Sequence, residues 1–120
     1  MPIDINNISP AELEENFYRL AHECNDADEK LLKAKEDYEI IKDNSDRIFA
    51  VIATEQPGKS TAEKERLALV TEEWKRHLES LGLARKEYKT AQSLHDTLVR
   101  LWKTYRSIMS MRNTHMKMGA

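Results

Sequence analysis

The chain has 120 residues, a third of them charged, with three glycines, three prolines, a single cysteine and a net charge of −2. That is one domain's worth of sequence, and its Lys, Glu, Leu and Ala bias belongs to long helices and coiled coils. No apolar run approaches the ~20 residues of a membrane span, Met1 to Ile8 lacks the pattern of a signal peptide, and Cys24 has no intrachain partner, so a cytoplasmic protein is expected.

Residues 1–8 read as an irregular lead-in. Ser9 then caps a helix, Pro10 suits its first position, and Glu12 reaches back to complete a capping box. This first helix is expected over 9–54. Leu13, Phe17, Leu20, Cys24, Ala27, Leu31, Ala34, Tyr38, Ile41, Ile48 and Ile52 recur along it at heptad spacing, with Ser45 the one interruption. Weak helix formers at Asn25-Asp26 and Asp43 to Asp46 bend it without breaking the phase.

Gln56-Pro57-Gly58-Lys59 is the clearest break, so 55–60 is read as a turn. Ser60 with Glu63 repeats the capping-box pattern and opens a second helix over 61–112, followed by a tail at 113–120. Reflection about Pro57-Gly58 pairs Leu13 with Trp102, Phe17 with Leu98, Tyr38 with His77, and Ser45 with Val70. Leu31 then faces Ala84 and Ala34 faces Leu81, small against large as interdigitating helices require. The fold expected is all-α: a long antiparallel two-helix hairpin, coiled-coil-like. It buries one seam only, and so thin a fold is marginal alone; a homo-oligomer is expected.

Charge is unevenly distributed. Residues 1–46 hold thirteen acids and five bases, residues 74–120 ten bases and three acids, and no acid follows Asp96. Acidic and basic arms lying antiparallel would compensate one another over most of their length. The same reflection leaves residues after about 105 without an opposing helix. This overhang is where bases alternate with rings, as in a surface that tracks a nucleic-acid strand. Arg100, Lys103, Arg106, Arg112 and Lys117 are the candidate phosphate contacts and Tyr105 a candidate stacking ring; Trp102, opposite Leu13, fits the seam. A second apolar row, Leu94, Leu101 and Ile108, with Met109 and Met111, is the candidate oligomer interface.

Other chemistry is harder to build. Ala53 to Thr61 fits a relaxed P-loop pattern, but the motif needs a strand before it and a parallel sheet around it, and Ile48 and Ile52 continue the helical phase. His77 and His95 fall on the seam, where a polar residue more often fixes register than binds metal. His22 and Cys24 point to different helix faces, and Glu29 with Lys33 or Glu72 with Arg76 are ordinary surface pairs. No enzyme activity, cofactor, metal or small-molecule substrate is expected.

Over about residues 13–112 the chain resembles UvsY-type recombination mediators of tailed phages, or one of the small helical accessory proteins encoded in phage recombination modules. The likeness consists of the acidic first helix, the turn with Ser60 to Glu63, and a second helix with Arg106-Ser107 and then Met111-Arg112. The resemblance implies an oligomeric, non-enzymatic accessory that binds single-stranded DNA and helps to load a recombinase onto DNA coated by single-strand-binding protein. The alternative is a structural or adaptor coiled coil, such as an assembly factor or small inhibitor, that grips a protein partner.

Overall fold

A computed structural model describes the backbone of residues 9–118 and the side chains of residues 9–113. Four helices follow in order: α1 Pro10–Asp43, α2 Ser45–Thr54, α3 Thr61–Ala68 and α4 Glu72–Met118. The fold is all-α, a helical hairpin in which α1 packs antiparallel against α4. Its contacts divide into two compact units, Met1–Lys30 with Gln92–Ala120, and Leu31–Ala91.

Both expected helix starts form. Ser9 Oγ accepts from the Glu12 amide at 3.2 Å, and the Ser9 amide donates to Glu12 Oε2 at 3.4 Å. At the second start Ser60 Oγ accepts from the Glu63 amide at 3.2 Å, but the Glu63 carboxylate takes the amide of Lys59. A Cβ at Gly58 would lie 2.8 Å from Lys64 Cγ, so this turn folds closely onto the first turn of α3 and glycine is what fits.

The first arm is nearly continuous. Asn44 Nδ2 donates to the Ile40 carbonyl and Ser45 Oγ to the Ile41 carbonyl, a competition with the backbone ladder that bends helices. The Asn44 and Ile48 amides still bond four residues back, so the phase passes through the bend.

The second arm departs from the single helix expected over 61–112. α3 ends at Ala68, and the Val70 and Thr71 amides close onto carbonyls three residues back. Thr71 Oγ1 accepts from the Trp74 amide at 3.2 Å and so caps α4. Leu69 and Val70 are left exposed, Val70 at 81%. At the other end α4 continues to Met118, through most of the expected tail.

The register also differs from the reflected one. Ser45 meets His77 (Oγ to Nε2 2.7 Å) rather than Val70. Tyr38 lies beside Tyr88 and Arg85 rather than His77. The second arm is thus displaced by about one heptad from the reflected pairing. A heptad seam presents the same face after a slide of seven residues, so its periodicity selects the face and leaves the slide open.

In the unit containing both ends of the hairpin's open side, Leu13, Leu20 and Tyr105 are buried, with Phe17, Leu98, Leu101, Trp102, Ile108 and Met109 packed against them. Phe17 stacks on Trp102 with ring centroids 5.6 Å apart. In the other unit Ile52, Ala53 and Ala68 are buried beside Ile48, Phe49 and Trp74. Ala68, fully buried, has the small side chain that lets α3 approach α2 closely. Among the described residues, no helix is long and apolar enough to cross a membrane.

Candidate functional site

The heptad slide relocates the expected overhang. Tyr105 is buried in one cluster with Leu13 and Leu20 of α1, and Ile108 and Met109 pack against that cluster. Tyr105 is 7% exposed, and its ring belongs to the core. This corrects its reading as a stacking platform, because a buried face cannot receive a base. Trp102 is a seam residue, as its place opposite α1 suggested. Among the described residues its indole N–H has no hydrogen-bond partner.

The cations remain at the surface. Arg100, Lys103 and Arg106 are exposed. The Arg106 guanidinium lies over the Trp102 ring, 4.8 Å from its centroid, which restrains it against the helix. Arg112 is half-buried and has an interaction of its own. Lys117 lies outside the residues whose side chains are described.

Antiparallel pairing brings the acidic α1 alongside the basic end of α4, yet direct compensation is sparse. Among the described residues Arg19 pairs with Glu23, and His95 lies against Asp28 and Asp96. None involves Arg100, Lys103 or Arg106. Between the arms, Asp28 meets His95 on the seam's margin. Cancellation along the body of the hairpin is therefore not built from contacts at this end.

The apolar candidates divide. Leu94 and Met111 are 49% and 71% exposed, whereas Leu101, Ile108 and Met109 lean partly onto the core. A shallow groove runs beside Leu94 and Leu98, walled on α1 by Glu23, Asp26, Ala27 and Lys30.

Chemistry elsewhere is meagre. Residues 48–53, strand-like in composition, are helical and pack on Ala68 and Trp74, so the P-loop-like stretch spans a helix end and a turn. Among the described residues no three His, Cys, Asp or Glu side chains are grouped to hold a metal ion. Burial first, then Asp28 and Glu23, push the Cys24 thiol up, the reverse of what a nucleophilic cysteine needs. Sequence reasoning missed the Arg85–Tyr38 contact, in which Arg85 Nε donates to Tyr38 Oη at 3.3 Å. No spacing rule signals it, since it depends on the register. No family model, curated protein or solved structure matches this chain.

Proposed function

We propose that this protein is a non-enzymatic, self-associating helical hairpin that binds single-stranded DNA through the exposed cations of α4, as an accessory of the kind the UvsY-type resemblance implies. One observation carries the reading. Arg100, Lys103 and Arg106 lie exposed on a helix without an acid after Asp96, and no carboxylate of the described residues pairs with them. With Tyr105 and Trp102 committed to packing, the interaction is chiefly electrostatic, and specificity for sequence is not expected. Loading of a recombinase, or contact with a single-strand-binding protein, would be a further step on that bound state.

Fluorescence anisotropy with a labelled oligo-dT strand tests this. Three phosphate contacts per copy give a log–log salt slope of about −2, roughly 20-fold weaker binding between 50 and 200 mM salt. Arg100→Glu, Lys103→Glu and Arg106→Glu together should flatten that slope and weaken binding at least tenfold at low salt. Salt-insensitive binding that the triple reversal leaves unchanged would remove the proposed site.

The adaptor reading has its own support in Met111 and Leu94, large apolar side chains exposed at the same end of the chain. Absence of any binding to oligo-dT, together with a stable mixed complex formed through Met111, would favour it.

A further inference from the structure

We infer that Arg85 and Lys89 of α4, together with Lys42 of α1, form a binding site for a terminal phosphate group at the Tyr38 hydroxyl. All four residues belong to one unit, Leu31–Ala91. The sequence leaves the two α4 bases uncompensated. Neighbours on a helix surface stand three and four residues apart. For Arg85 these are Leu81, Gly82, Tyr88 and Lys89, and for Lys89 they are Arg85, Lys86, Gln92 and Ser93. Neither set contains an acid. Between Glu79 and Asp96 the one acid is Glu87, two residues from both bases and so turned to another side of the helix. Lys42 does have Glu39 and Asp46 at neighbour spacing. Even so, no carboxylate of the described residues pairs with Lys42, Arg85 or Lys89.

The group that meets these bases is a phenol. Arg85 Nε donates to Tyr38 Oη at 3.3 Å. The Arg85 guanidinium lies 5.7 Å, and the Lys42 ammonium 5.9 Å, from the centroid of the same ring. Lys89 acts on the phenol as well. A neutral ring attracts cations through its face but cancels none of their charge. Lys42, Arg85 and Lys89 are exposed and Tyr38 is half-buried, so the bases can turn their ends onto an anion seated at the hydroxyl. The donor set selects that anion. With Nε engaged, Arg85 keeps its terminal nitrogens as a planar fork, and the Tyr38 oxygen, which accepts from Arg85, still has its own hydrogen to donate. Two ammonium groups complete the set. A carboxylate, with two oxygens and one charge, is saturated by the fork alone, and a backbone phosphodiester resembles it in this. A phosphate monoester carries about −1.5 to −2 charges at neutral pH and three acceptor oxygens, which engage the fork and both ammonium groups together. Free nucleoside monophosphates and the 5′-phosphorylated end of a strand share that chemistry.

The test uses the full chain with ring-labelled tyrosine, followed by NMR at fixed ionic strength. Thymidine 5′-monophosphate should shift the Tyr38 ring signals saturably, thymidine should not, and Tyr18 should stay in place. The bound anion opposes the three cations, so the Tyr38 titration midpoint should rise when the monophosphate is present. Arg85→Gln with Lys89→Gln should weaken this binding about three- to tenfold, as loss of two exposed charge contacts does. Lys59→Gln with Arg66→Gln, the same loss of charge elsewhere in this unit, should leave it unchanged. Circular dichroism confirms that the helices persist. The strand source rests on the DNA-binding reading and is tested with 5′-phosphorylated against unphosphorylated oligo-dT. Tighter binding of the phosphorylated strand, lost in the Arg85→Gln, Lys89→Gln variant, assigns the site to a strand end. Equal affinity for the two strands, with Tyr38 still responding to the monophosphate, assigns it to a free nucleotide. A Tyr38 signal that the monophosphate does not move, or moves equally in the Arg85→Gln, Lys89→Gln variant, would overturn the site. The monophosphate arm involves no DNA, so this site and the DNA-binding reading can each fail alone.

Discussion

His77 and His95 hold the second arm in its observed slide, and replacing both by leucine should let a second register appear. A slide of seven residues presents the same seam face again but loses the packing of Tyr105, Ile108 and Met109 at the end of α4. Along the rest of the seam, what distinguishes the two slides is polar. The His77–Ser45 hydrogen bond is part-buried and contributes about 1 kcal/mol. The His95–Asp28 pair has Asp28 62% exposed, and an exposed pair adds about 0–1 kcal/mol. Losing both narrows the gap by roughly 1–2 kcal/mol, a 5- to 30-fold rise in the population of the shifted register. The leucines themselves should keep or raise overall stability, because they extend the apolar seam. Spin labels at Arg19 and Lys103, both exposed and in the same unit, would report the slide as a displacement of about 10 Å along the helix. A second distance population is the expected result. A double variant that keeps one distance would refute the role of the histidines and leave the break at Leu69 to Thr71 as what sets the register.

Two further outcomes follow from single residues. Gly82 is exposed in α4, with nothing within 4 Å of a Cβ built there, so Gly82→Ala should raise stability by about 0.5–1 kcal/mol in urea unfolding; a loss would mean that the assembled protein covers this face. The Tyr38 phenol is held below its usual range, first by the hydrogen bond from Arg85 and then by the charges of Arg85, Lys42 and Lys89. Its phenolate therefore forms at lower pH than that of an isolated tyrosine, and Arg85→Met should move the Tyr38 midpoint upward in an NMR titration; an unchanged midpoint would refute the role of Arg85.

The seam was legible because burial follows period alone: every stripe position named from Leu13 to Ile52 is buried or half-buried. The slide was not legible, because residues seven apart are equivalent in that pattern. One local signal was available. Thr71-Glu72-Glu73-Trp74 places a capping residue before two acids in a first helical turn, an ordinary helix start. Unbroken apolar phase from Leu67 to Trp74 hides it, since short helices of matching phase and one long helix read alike. Ser45, His77 and His95 were recognisable as polar seam residues, but their partners depend on the slide. Tyr105 follows from the same cause. It stands three residues after Trp102, on seam spacing, and only the supposed end of pairing put it outside the core.

The corrected register separates assembly from charge. With Tyr105, Ile108 and Met109 engaged by α1, the end of α4 no longer serves as an overhang that must do both jobs. Leu94, Leu101 and Ile108 occupy one flank of the seam, and Lys103 and Arg106 the other. Three cations without a carboxylate partner among the described residues hold a strand weakly on one copy, and each contact is lost readily as salt rises. Self-association through any other face leaves Lys103 and Arg106 open on both copies, so one strand reaching both gains by effective concentration rather than by new chemistry. If the proposed DNA binding operates this way, oligo-dT affinity should rise through the protein concentrations over which light scattering shows association. An affinity independent of the associated fraction would refute the gain by effective concentration.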